Sequence, residues 1–120
     1  MTNFLTDYSH FKNRAELDEA TRKHRKWNWN GMNATDHHVL EIIWRHSIKF
    51  GAAQLAHDAI ALEIIKSNST VRRSICKLEK LGILDRHNYI RPGTNGLGPN
   101  IYSIRPFNEY PGVVDERFYP

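Results

Sequence analysis

The chain has 120 residues, 40% of them hydrophobic and 11% aromatic, a length and composition that support one packed core and exclude two-domain enzyme architectures. Its 17 Lys and Arg against 13 Asp and Glu leave a formal charge of +4, concentrated in two basic islands, at residues 22–26 and 66–91, on an otherwise acidic background; local positive fields of this kind point to a polyanionic partner, most often nucleic acid. A single cysteine, Cys76, excludes an internal disulfide and a thiolate metal cluster, the most apolar stretch, residues 59–65, is too short to cross a bilayer and carries Glu63, and the first ten residues lack the basic and apolar regions of a secretory signal, so the expected location is cytoplasmic.

In chain order, residues 13–26 contain no Gly or Pro and carry acids early and bases late, which complements a helix dipole. Leu17 and Ala20 are the chief residues this helix offers for burial, so it is expected at the surface or against a partner. Asparagines and Gly31 then break the pattern. Thr35 reads as an N-cap for an amphipathic helix over about residues 36–49, with Val39, Leu40, Ile43, Trp44 and Ile48 on one side and a stop near Gly51. Residues 52–55 form a short extended link, and residues 57–64 a second, shorter helix. Ser67 then caps a third helix in which Val71, Ile75, Leu78 and Leu81 recur at helical spacing. Gly82 suits the left-handed stop, with Ile83 folding back toward Leu78. Two strands follow, at residues 83–90 and 100–105, joined by the glycine- and proline-rich residues 91–99 as a hairpin with a long, mobile tip. The acidic, aromatic tail from 108 to 120 resembles no fold element. The division is an N-terminal extension (1–34), a central domain (35–107) and a tail (108–120), and the class is α+β, mainly helical.

Helical geometry sorts the charges of the third helix. Val71, Ile75 and Leu78 define a buried side, and Asn68, Ser69, Arg72, Arg73 and Lys77 fall on or beside the opposite side. Such a face suits the DNA major groove, where arginine bridges guanine O6 and N7 while hydroxyls and first-turn amides hold phosphates. Capping alone would also account for Ser67 and Thr70, and a solvated face for Arg72 and Arg73.

The run from Lys66 to Leu84 resembles the recognition helix and first wing strand of bacterial winged helix-turn-helix proteins. In that superfamily a Ser-x-x-Thr-Val-x-Arg pattern leads into Leu-x-x-Leu-Gly-Ile, and Ser67, Thr70, Val71, Arg73, Leu78, Leu81 and Gly82 occupy those places. The resemblance covers about residues 35–107. Narrowly, it extends to small plasmid- or phage-borne helix-turn-helix proteins of Gram-positive bacteria, in which a Gly-x-Gly-x-Asn-Ile-Tyr segment closes the wing, here Gly96 to Tyr102. One departure is the turn, where Ile64, Ile65 and Lys66 replace the usual glycine. The resemblance implies a three-helix core with a β-hairpin wing and sequence-specific binding to double-stranded DNA, often as a homodimer on inverted repeats. It assigns Asn68, Ser69, Arg72 and Arg73 to base edges and Ser67, Thr70 and Lys77 to the neighbourhood of phosphates, with Lys66 a further DNA-binding residue. Arg86, Arg91 and Asn95 on the wing would reach an adjacent minor groove or backbone. Arg22, Lys23, Arg25 and Lys26 form a second candidate contact set. The expected role is a transcriptional repressor or a replication or copy-control factor; the competing role is a winged-helix adaptor or antirepressor that meets an acidic protein.

Other chemistry is thin. The seven histidines show no metal-ligand spacing, and no Walker, Rossmann or nucleophile-elbow motif is present. Neither an enzyme nor a cofactor is expected. Trp27 and Trp29 are expected to be buried against the domain, and Cys76 to be a packed, inert thiol.

Overall fold

In the computed structural model, which describes residues 4–94 and 96–107, the helices are α1 (Arg14–Trp27), α2 (Ala34–Ser47), α3 (His57–Ile64) and α4 (Asn68–Lys80). The strands are β1 (Ala53–Leu55), β2 (Leu84–His87) and β3 (Asn100–Ile104), and short 3-10 segments lie at Phe4–Tyr8 and Trp29–Gly31. The fold is α+β and mainly helical, with one antiparallel sheet in the order β1-β3-β2. Asn95 and the tail 108–120 lie outside the described residues. Among those described, no helix is long and apolar enough to cross a membrane.

Helices α1, α2 and α4 begin where a side chain satisfies a free amide, whereas α3 starts after Ala56 without a side-chain cap. Asn13 caps α1 by accepting from the Glu16 amide at 3.0 Å. Leu17, Ala20, Thr21 and His24, at helical spacing, form its buried stripe, so α1 joins the core through the two apolar residues it offers. The cap of α2 is Asn33 and not the expected Thr35. Asn33 stands three residues before Asp36, so its side chain accepts from the Asp36 amide while the Asp36 carboxylate accepts from the Asn33 amide, a reciprocal box that Thr35, adjacent to Asp36, has no geometry to make. Gly51 ends this unit with φ of 85°, and a Cβ there would collide with Ser9.

Helix α4 matches its sequence most closely. The Ser67 hydroxyl accepts from the Thr70 amide at 3.1 Å. Leu81 ends the helix, Gly82 takes φ of 79°, and the amides of Gly82 and Ile83 bond back to Glu79 and Leu78 at 3.0 Å each, a Schellman stop. Val71, Ile75 and Leu78 are buried with Val39, Leu40 and Ile43 of α2 and with Leu84, Tyr102 and Ile104 of the sheet. Burial of each such side chain stabilises the fold by about 1.5–3 kcal/mol.

The link at residues 52–55 becomes strand β1 because β3 supplies its partner: Ala53 pairs with Tyr102 and Leu55 with Asn100. Beyond β2 and β3 the hairpin arms continue through a bridge between Ile90 and Leu97 and bonds joining Arg91 to Gly96 and Gly98 to Tyr89. The N-terminal segment covers the far face of the sheet. Ser103 donates to the Tyr8 carbonyl at 2.7 Å, the Tyr8 ring lies 4.9 Å from that of His87, and Phe4 stacks on Tyr89 at 5.4 Å. Strand β3 is therefore buried on both faces.

The turn between α3 and α4 holds the one non-glycine residue with positive φ among those described, Ile65, at φ 56° and ψ 54°. The amide of Lys66 bonds back to Ala61 at 3.0 Å, so Ile65 fills the place that glycine usually takes at a helix stop. A β-branched residue there carries strain of about 1–3 kcal/mol, and 87% exposure leaves its side chain little packing to offset it. Ile65→Gly is expected to stabilise the fold by about 1 kcal/mol, net of the greater freedom of glycine in the unfolded chain; urea unfolding of the two proteins checks this.

Candidate functional site

The exposed side of α4 is organised by what holds its buried side. Advancing roughly 100° per residue, Ser69, Cys76 and Lys80 run down the middle of the outer face. Arg72 flanks them toward α3 and the hairpin, and Arg73 flanks them toward α2. All five are exposed, apart from helix-start contacts such as Arg73 to Thr70 Oγ1 at 3.5 Å. Neither arginine has an acidic partner among the described residues. Cys76 is thus an exposed thiol and not the packed one expected, because the apolar stripe passes through its neighbour Ile75 and turns Cys76 outward.

Other sequence-assigned residues of this helix are engaged in structure. Ser67 and Thr70 pair with one another at 3.0 Å at the cap. Asn68 donates to the Asp58 carboxylate of α3, which pins the start of α4 to the start of α3. Lys77 donates to Asp36 at 2.7 Å across to α2. Lys66 is exposed at the turn. On the hairpin, Arg86 lies 3.7 Å from Glu79 of α4 and Arg91 is exposed near the tip; Asn95 lies outside the described residues.

Asp36 is a feature that composition gave no reason to single out. Its carboxylate is 1% exposed and accepts from Ser74 Oγ at 2.6 Å, Lys77 Nζ at 2.7 Å and the Asn33 amide at 3.0 Å. Burial alone would raise its pKa; the hydrogen bonds from Lys77, Ser74 and Asn33 together outweigh that and hold it below the ordinary carboxylate value. In the sequence, only the capping spacing from Asn33 to Asp36 hinted at a role.

The basic island at residues 22–26 is largely spent on neighbours. Arg22 meets Glu19 at 2.8 Å, Lys23 meets Glu19 at 3.6 Å, and Arg25 crosses to Glu41 of α2 at 2.8 Å. Lys26 is exposed. Trp27 and Trp29 are 60% and 59% exposed, a correction to their expected burial. The core ends at His24, whose Nε2 is 2.7 Å from the Arg105 carbonyl, so among the described rings Trp27 meets Phe107 at 6.0 Å and Trp29 meets His37 at 4.3 Å.

A scan against protein-family models finds no match for this chain, and a search of the curated proteins finds none either.

The Asp36 contacts fix the rotation of α4, and their energetics are testable. Lys77→Met leaves a buried carboxylate without its countercharge and is expected to cost about 3 kcal/mol at neutral pH. Asp36→Asn is expected to cost less, because the half-exposed Lys77 ammonium turns to water. Since the native pKa of Asp36 is depressed, its contribution is complete above the ordinary value of 3.8 and is lost as pH falls through the native value. Urea denaturation across that range should bring the stabilities of the native protein and Asp36→Asn together in acid.

Proposed function

We propose that this protein is a winged-helix regulator that binds double-stranded DNA sequence-specifically, with α4 as the recognition helix and the β2–β3 hairpin as the wing. The observation that carries the reading is the outer face of α4: Ser69, Arg72 and Arg73 exposed, the two arginines without an acidic partner, on a helix whose other side is locked into the core. A rigid helix with free guanidinium groups suits major-groove contact. The sheet order, with β1 preceding the helix pair and the hairpin following it, agrees with the winged-helix resemblance of the sequence. Ser69 and Arg73 are assigned to base edges. Ser67, Thr70 and Lys77 act in this reading mainly by positioning α4. Of the island at residues 22–26, Lys26 is the cation best placed for an outlying phosphate contact, since Arg22, Lys23 and Arg25 all meet carboxylates.

The proposed role is non-enzymatic: a repressor, or a replication or copy-control factor of a plasmid or phage, acting as a homodimer on an inverted repeat. A second reading, a winged-helix adaptor for an acidic protein, draws on Leu62 and Ile65, which are 82% and 87% exposed beside the start of α4; a protein partner would cover them.

Selection from random duplex DNA is expected to enrich an inverted motif, and affinity for that motif should fall with a log-log salt slope near −0.9 per phosphate contacted. Arg73→Ala is expected to lose about 1–3 kcal/mol of specific affinity at fixed salt, and bound duplex should protect Cys76 from alkylation. No enrichment, with salt-insensitive binding, would favour the adaptor.

A further inference from the structure

Two arginines and a histidine from three separate elements come together where α3, α4 and the hairpin meet. His57 opens α3, and its Nε2 lies 3.0 Å from the Tyr102 hydroxyl of β3. Tyr102 is the direct cross-strand partner of Arg86 in β2, and opposed residues on antiparallel strands project to the same face, so Arg86 emerges on the side where Tyr102 holds His57. The hydrogen bond from Asn68 to Asp58 sets the first turn of α4 against the first turn of α3. Arg72, one turn beyond Asn68 on the same helix face, is thereby carried toward His57, the neighbour of Asp58.

We infer that His57, Arg72 and Arg86 form one phosphate-holding site, and that it takes a backbone phosphate of the bound DNA between the recognition helix and the hairpin. The inference rests on the proposed DNA-binding reading and changes the assignment of Arg72 from a base edge to the backbone. Arg72 has no acidic partner among the described residues, Arg86 has only Glu79 at 3.7 Å, and the side chain of Arg86 is 42% exposed, so both can turn to an incoming anion. Phosphate is the matching chemistry: guanidinium groups supply paired N–H donors, and an imidazolium adds a charged donor.

His57 makes the site sensitive to protons. His57 Nε2 shares a hydrogen bond with the Tyr102 hydroxyl, whose oxygen also accepts from Asn100 Nδ2 at 3.4 Å, so the ring is held in place from β3. Burial, then the charges of Arg72 and Arg86, hold the His57 imidazole below its ordinary pKa, with Asp58 opposing them. The charged groups acting on the ring are Arg72 on α4, Arg86 on β2 and Asp58 on α3 itself, its hydrogen-bond partner is Tyr102 on β3, and Glu79 of α4 lies behind Arg86 at 3.7 Å; β1 contributes no ionisable group. A phosphate set between the two arginines offsets their charges, the second cause of the depression after burial, and its own negative charge rewards protonation. The pKa of His57 is then higher in the complex than in the free protein, so the gain in affinity is complete below the free-state value and is lost as pH rises through the bound-state value.

The test measures affinity for the selected duplex by fluorescence anisotropy, at fixed salt, from about pH 6 to about pH 8, for the native protein, His57→Gln and Arg72→Gln. Native affinity is expected to weaken about three- to tenfold over that range, the ratio that up to one unit of pKa difference produces. His57→Gln, whose amide still meets Tyr102, should bind with most of that pH dependence removed. Arg72→Gln should lower affinity for all duplex sequences alike and reduce the salt slope by about one phosphate. Equal pH dependence in the native protein and His57→Gln, or a change of base preference in Arg72→Gln with an unaltered salt slope, overturns the inference while leaving DNA binding intact. In a second arm, the His57 ring is titrated by NMR with inorganic phosphate and with duplex. A response to duplex supports the inference; a response to inorganic phosphate alone identifies a free-anion site and overturns the DNA assignment. If no duplex binds at all, the functional reading fails and the assignment falls with it.

Discussion

The Asp36 carboxylate is the interaction on which the arrangement of this molecule depends. A single group closes the capping box at the start of α2 and accepts hydrogen bonds from Ser74 and Lys77, one turn apart on α4. Hydrophobic contacts through Val71, Ile75 and Leu78 hold α4 in the core, but apolar burial is non-directional and leaves helix rotation loosely specified. Directed bonds from two successive turns remove that freedom. The orientation of Ser69, Arg72 and Arg73 is therefore set from beneath, and the charge on Lys77 is given over to structure.

Pairing also decides which basic residues project a field. The two islands look alike in the sequence, yet in the first Arg22, Lys23 and Arg25 each meet a carboxylate, whereas in the second the outer arginines of α4 meet none among the described residues. Formal charge overstates the first island more than the second, where Lys77 and Arg86 also meet carboxylates but Arg72 and Arg73 meet none among the described residues. Exposed ion pairs of this kind contribute little to stability, so the main effect of those around α1 is to neutralise its surface.

What the sequence disclosed followed the range of the interactions involved. Helix α4 was legible because its cap at Ser67, its apolar stripe and its stop at Gly82 are all local, and each agrees with the others. The helix spans were legible for the same reason. Strand β1 was read only as an extended link, since its partner in β3 lies nearly fifty residues away by the Ala53–Tyr102 pairing. The cap of α2 was misplaced by two residues because Thr35 and Asn33 are both good caps and only the reciprocal bond to Asp36 separates them. Trp27 and Trp29 were expected inside on size alone, but the core runs out at His24. The place of His57 was invisible: Tyr102, Arg72 and Arg86 come to it from three other elements.

The N-terminal segment lies over the face of the sheet that the helices leave bare, with Tyr8 bonded to Ser103 across 95 positions of chain. Contacts of such separation close late, because the loop entropy must be lost before they return anything. During synthesis this segment emerges before β3 and waits for its seat until that strand has left the ribosome. For that interval the rings of Phe4 and Tyr8 lack the sheet they pack on, and the nascent chain presents them to chaperones and neighbouring chains.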